Sequence, residues 1–187
     1  MKRVLQILFF VTIALILQYF YLEGHPAIAV SGHYKPFQYS GSGYILEADF
    51  PSGTEINLTP DKGEELKLNI YFLNPRLKFR GYIQIWQLQQ DLPSFLANSK
   101  TNSVYNFLNY KVYEVGVNDF SGLKEEWSAD FGDQIISAQE YWLEIPGEQK
   151  FIRVAFYTDS DQFPESVDLA TAKIINSLNY RGFKSSQ

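Results

Sequence analysis

Residues 135–158 decide the fold. They read Ile135-Ile136-Ser137-Ala138-Gln139-Glu140-Tyr141-Trp142-Leu143-Glu144-Ile145, then Pro146-Gly147-Glu148, then Phe151-Ile152-Arg153-Val154-Ala155-Phe156-Tyr157-Thr158. The outer runs are rich in β-branched and aromatic residues, and the Pro-Gly pair between them is a turn signal. Ile152, Val154 and Phe156 alternate onto one face, the pattern of a half-buried strand. After an acidic loop the period changes. Val167, Ala170, Thr171, Ile174 and Leu178 recur at helical spacing, and Pro164 suits the first turn. Asp161, Glu165 and Asp168 lie at the helix end that favours negative charge, and Arg181 lies at the other. Such a helix must bury its apolar stripe against the sheet. Burying a side chain like Ile174 contributes roughly 1.5–3 kcal/mol.

Upstream the alternation continues. Leu66, Leu68, Ile70 and Phe72 interleave with Lys67, Asn69 and Tyr71. Residues 82–88 are strand formers bounded by Gly81 and Asp91-Leu92-Pro93, and residues 94–98 fit one or two helical turns. Residues 110–117 predict a strand, and residues 118–122 a turn. Leu123, Trp127 and Ala129 then alternate with Lys124, Glu126 and Ser128, up to a turn at Asp130-Phe131-Gly132-Asp133. The expected class is α+β, an antiparallel β-sheet meander packed by helices that include a C-terminal one.

This order of strands, with the acidic loop Asp159-Ser160-Asp161 and the closing helix ending Ile174-Ile175-Asn176-Ser177-Leu178, resembles the PsbP-like fold. That fold is an α/β/α sandwich found in extrinsic photosystem subunits and many exported bacterial domains. Residues 44–50 followed by Pro51-Ser52-Gly53 fit its opening strand and turn, although Thr54-Glu55-Ile56 follows where many relatives carry an aromatic. The resemblance is one of layout over most of residues 44–180. It implies a fold and no particular activity.

The N-terminus sets an expected location. Lys2 and Arg3 precede an apolar run over residues 4–17, and Ala27-Ile28-Ala29 supplies a small-x-small cleavage pattern after Gly24 and Pro26. Cleavage after Ala29 leaves Val30 as the first residue. The apolar stretch also extends through Tyr19, Phe20 and Tyr21 to Leu22, close to the ~20 residues that span a bilayer, with interfacial aromatics at its outer end. Residues 1–29 are therefore a signal peptide or an N-terminal membrane anchor. In both cases the basic start stays inside and the rest lies outside the cytoplasm. Residues 30–43, rich in Ser and Gly, are expected as a linker, residues 44–180 as a single extracytoplasmic domain, and residues 181–187 as a tail.

Composition removes several chemistries. The 187 residues hold no Cys, so no disulfide framework and no thiolate metal site. The two histidines, His25 and His33, fall in the leader and linker, which argues against a Ser-His-Asp site in the domain. The net charge of −5 opposes nucleic-acid binding. No cofactor and no metal are expected. The carboxylates of residues 159–165 lack the glycine and spaced glutamate of a calcium loop and fit a helix entry. Asp130-Phe131-Gly132 has no phosphate loop to accompany it and is a turn. The sequon Asn57-Leu58-Thr59 receives no role. Glu125, Glu126, Glu140 and Glu144 could supply a glycosidase pair, and are first expected as solvated strand faces.

Aromatic richness is the compositional oddity: 15 Phe, 13 Tyr and 3 Trp. Tyr82, Trp86, Tyr105, Tyr110, Tyr113, Trp127, Tyr141, Trp142 and Tyr157 fall in or beside expected strands. They read first as core, and second as a platform that stacks on sugar rings or anchors a partner, with Trp86 and Trp142 as candidate ligand-binding residues. The expected function is a non-enzymatic extracytoplasmic binding or accessory domain. The alternatives are a cell-wall carbohydrate-binding module and a hydrolase using two carboxylates. Expected partners are the membrane, through an uncleaved N-terminal segment, and an envelope protein or glycan.

Overall fold

The computed structural model describes residues 32–59 and 63–183. Among them the chain forms β1 (Tyr34–Gly41), β2 (Tyr44–Pro51), β3 (Glu55–Leu58), β4 (Leu66–Asn74), β5 (Phe79–Trp86), α1 (Leu92–Asn102), β6 (Asn106–Val117), β7 (Phe120–Asp130), β8 (Ile135–Glu144), β9 (Phe151–Thr158), α2 (Glu165–Asn176) and β10 (Asn179–Gly182). Seven strands make one antiparallel sheet in the order β3-β4-β5-β9-β8-β7-β6, and β1-β2-β10 make a second.

The period-2 pattern divides the large sheet into two faces. Leu68, Ile70 and Phe72 of β4, Ile83 and Ile85 of β5, and Ile152, Val154 and Phe156 of β9 are fully buried on one face. They meet Leu46 and Phe50 of β2 and Val167, Ala170, Ile174 and Ile175 of α2 in the main core. The stripe expected on the last helix is the face that α2 buries. This is the α+β sandwich with a closing C-terminal helix. The opposite face is covered at one end by α1, whose Leu92 and Leu96 pack with Trp142. Asp91 caps α1 by accepting from the Ser94 amide at 2.9 Å, and Pro93 stands in the first turn.

Three boundaries differ from expectation. Residues 34–41, expected within the linker, form β1 and pair along their whole length with β2. The Gly/Ser cluster is a hairpin: Ser42 and Gly43 have φ of 52° and 85°, a two-residue turn that matches strand twist. Phe37 reaches Phe50 at 6.2 Å and Tyr39 reaches Tyr44 at 5.8 Å, the contacts that order the strand. Arg181 and Gly182, expected in the tail, belong to β10. Arg181 pairs with Glu47 at 2.7 Å, and Tyr180 stacks on Tyr44. The helix expected over 94–98 runs for 11 residues.

Among the described residues no helix is long and apolar enough to cross a membrane. The expected signal or anchor, with Ala27 and Ala29, lies outside the described residues.

Candidate functional site

Alternation that sends Ile152, Val154 and Phe156 into the core sends Arg153 and Tyr157 to the opposite face. The same face receives Tyr82, Gln84 and Trp86 from β5, Glu140 and Trp142 from β8, and Glu125 and Trp127 from β7. Strand register then sets neighbours: Gln84 and Trp142 flank Arg153, and Glu125 lies across from Glu140. Two glutamates on adjacent strands thus share one covered face, 7% and 4% exposed.

Each carboxylate is held by a distinct set of donors. Glu140 Oε2 accepts from Arg153 Nε at 2.8 Å and Nη2 at 2.5 Å, and its Oε1 accepts from Trp127 Nε1 at 3.0 Å and the Tyr157 hydroxyl at 3.2 Å. Arg153 also donates to Gln84 Oε1 at 2.8 Å and to the Tyr157 oxygen at 2.9 Å. Gln84 in turn receives Trp86 Nε1 at 2.9 Å and donates to Asn69 at 2.9 Å. Glu125 accepts from Trp142 Nε1 at 3.0 Å and from the Tyr110 hydroxyl. Two hydrogen-bonded sets lie side by side, one running from Asn69 on β4 to Trp127 on β7 and one joining Tyr110, Glu125 and Trp142. Arg153 over the Trp142 ring at 5.2 Å links them, and all three indole N–H groups take part.

Electrostatics separate the two glutamates. Burial, and then the charge of Glu140, push the Glu125 carboxyl up to about 7, against the pull of Tyr110, Trp142 and Arg153. Burial opposes the charge on Arg153, but Glu140, Tyr157 and Glu125 together outweigh it, and the guanidinium is held more firmly cationic than usual. Burial raises the phenols of Tyr157 and Tyr110, and the carboxylates beside them add to the effect.

Aromatic rings wall this floor into a cup of about 430 Å³. Trp86, Phe95 and Trp142 form one wall, with centroids 5.2–5.9 Å apart. Phe107, Tyr105, Phe131, Trp127 and Tyr157 form the other. At the rim, Lys100 from the last turn of α1 sits 4.1 Å from the Tyr110 ring centroid, and Arg80 pairs with Asp159 at 2.8 Å.

Trp86 and Trp142, the candidates from sequence, do come together here, but not as a flat platform. Their planes are 53° apart, and Trp142 is buried with its N–H committed to Glu125. Of the four glutamates expected as solvated, Glu144 is exposed and Glu126 is half-buried on the other face, bound to Lys124. Glu125 and Glu140 are a correction: register puts them on the face that α1 and the rings cover. Asp159 of the acidic loop serves Arg80. Among the described residues no three His, Asp or Glu side chains converge to hold a metal. Tyr110 and Trp127 belong to the aromatic set that the sequence offers as a platform, though not to its two candidate ligand-binding residues, and Arg153 is not among the sequence candidates. An arginine inside the apolar run 151–158 was the available signal.

Neither a protein-family model nor a curated protein sequence matches the chain. Solved structures do. LpqN of Mycobacterium tuberculosis, described as involved in cell envelope biogenesis, superposes with a TM-score of 0.50 at 12% identity, over 82% of this chain and 95% of that one. The Ran-binding protein Mog1p of Saccharomyces cerevisiae gives 0.54 at 9% identity, over 83% and 98%. A Bacteroides thetaiotaomicron protein gives 0.52 at 11% identity, over 82% of this chain and 50% of that one. These neighbours share the PsbP-like, Mog1-type fold, and the likeness is one of fold.

Proposed function

We propose that this chain is a non-enzymatic binding domain, displayed outside the cytoplasm, whose ligand enters the aromatic cup. The observation that carries this reading is the contrast between floor and walls. Glu140 accepts two hydrogen bonds on each oxygen, so it has no lone pair free to attack a substrate or activate water. The walls, in contrast, offer ring faces around an open volume of the size that small ligands occupy. A hydrolase of the two-carboxylate kind needs both carboxylates available, and Glu140 is fully engaged beside Glu125, whereas a binding site needs only the walls. A module that lies along a glycan would need coplanar exposed rings, and the Trp86 and Trp142 rings are tilted.

Export is supported by Lys2, Arg3, the apolar residues 4–22 and Ala27-Ile28-Ala29. The envelope role stated for LpqN agrees with it. Cell fractionation should recover the domain outside the cytoplasm, starting at Val30 if the signal is cut. A cytoplasmic protein retaining Met1 would overturn the location.

Binding is tested with the three tryptophans. Their indole N–H signals in a ¹H–¹⁵N spectrum of the full chain all report on the cup floor. Titration with separate panels of monosaccharides, organic amines, carboxylic acids and short peptides should give one class that shifts them saturably and is recovered unchanged. No response from any class, or chemical turnover of a compound, would overturn the reading. A second reading, a protein partner added along β6, is favoured by Leu108, Val112 and Tyr113, exposed on that sheet edge. Cross-linking in intact cells from position 108 or 112 tests it: a single specific adduct supports it, and none removes it.

A further inference from the structure

Resting on that reading of the cup, we propose that its ligand is an organic ammonium ion, received between the aromatic walls against the Glu125 carboxylate. The floor holds two carboxylates and one guanidinium. Arg153 makes two bonds to Glu140, and that pair is complete. Glu125 has only neutral donors, the Tyr110 hydroxyl and the Trp142 indole, and among the described residues no cation forms an ion pair with it. A buried carboxylate without a cation is costly, so this position favours an incoming positive charge.

The walls favour the same charge. Ring faces attract cations, most strongly where water is excluded. The chain already shows this at the rim, where the Lys100 ammonium lies over Tyr110, the ring whose hydroxyl holds Glu125. An anionic ligand would meet two carboxylates on the floor, with Arg153 and Arg80 already committed to Glu140 and Asp159 and Lys100 left at the rim, over the Tyr110 ring. A neutral sugar would leave a proton as the sole means of neutralising Glu125. The groups facing Glu125 are Glu140 on β8, Arg153 on β9, Tyr110 on β6 and, beyond Tyr110, Lys100 on α1. In their combined field Glu125 exchanges its proton near neutrality. Cation binding should therefore release a proton below pH 7 and weaken as the pH is lowered.

An organic ammonium can be a free amine or an amine-bearing lipid headgroup. Tryptophan emission of the full chain, which comes entirely from residues of the cup, should be titrated with choline, with its uncharged isostere in which carbon replaces the nitrogen, and with phosphatidylcholine vesicles. Choline should quench or shift the emission saturably, and the isostere should bind about tenfold more weakly. Saturable binding of free choline without vesicle binding supports a soluble amine, and vesicle binding with weak free choline supports a headgroup. Glu125→Gln should cost choline about tenfold and leave the isostere unchanged. Lys100→Met, an exposed change, removes the resident ammonium and should tighten choline binding several-fold. Equal binding of choline and its isostere, or no response to choline and vesicles alike, would overturn the proposal. If monosaccharides, acids or peptides still shift the indole signals, the cup remains a binding site and only the ammonium assignment falls.

Discussion

Glu125 stands directly opposite Glu140 on the β7–β8 ladder, and only Glu140 has an arginine. Like charges facing each other on one side of a sheet destabilise it. The repulsion is resolved unequally: Arg153 keeps Glu140 paired, and Glu125 takes up a proton near neutral pH.

Stability should therefore depend on pH through Glu125. An unfolded glutamate titrates at about 4.3, whereas in the fold this one is pushed up to about 7. The folded chain binds the proton more tightly. The contribution is fully present below about pH 4.3 and is lost as pH rises through about 7, with an upper bound of about 4 kcal/mol. Glu125→Gln mimics the protonated form, so its stability should not show this loss. Urea midpoints from about pH 4.5 to 8 for both chains check it. Parallel profiles would show that Glu125 is ionised throughout.

Removing one member of the neighbouring pair should be severe. Arg153→Met leaves Glu140 charged and buried, a loss of about 3–5 kcal/mol. Replacing both, with Glu140→Leu added, should recover a large part of it, because no uncompensated charge remains. Denaturant unfolding of the parent, the two single variants and the double variant gives the coupling. A loss below about 1 kcal/mol for Arg153→Met would mean that water reaches the pair.

The core was legible in the sequence where one face is wholly apolar. Ile152, Val154 and Phe156 declare their strand by period, and Val167, Ala170 and Ile174 declare their helix. The cup was half legible. Trp86 and Trp142 stood out by residue type, but the Glu125–Glu140 pairing depends on strand register and on burial of the outer face, which side chains from α1 and the loops around Tyr105 and Phe131 supply. Those are long-range facts that no local spacing carries. β1 was missed because Ser40-Gly41-Ser42-Gly43 has the composition of a linker and the geometry of a tight turn.

Gly122 couples the backbone to the cup. A β-carbon there would lie 1.9 Å from the carbonyl oxygen of Trp142 on the paired strand. Gly122→Ala must move β7 away from β8, next to the residues that hold Glu125. The expected cost is about 1–3 kcal/mol, with a changed tryptophan emission. Gly116→Ala, whose nearest neighbour is 4.0 Å away, is the control and should keep the parent spectrum. The same emission in both variants would mean that the ladder absorbs the methyl without moving Trp142.

The corrected boundary at the N-terminal end makes the last prediction. Every residue of β1 pairs with β2, and β2 lines the main core with Tyr44, Leu46, Ala48 and Phe50. A chain beginning at residue 32 keeps that strand, whereas a chain beginning at residue 44 would suffice if residues 30–43 were a linker. Without β1, Phe37 no longer covers the edge of Phe50, Tyr39 no longer meets Tyr44, and β2 becomes a sheet edge. Such an edge is open to pairing with other chains. The shorter chain should melt roughly 10 °C lower than the longer one, as a loss near 3 kcal/mol implies for this size, and should aggregate at concentrations where the longer chain stays soluble. Coincident melting curves would show that β2 is held by α2 and β10 alone.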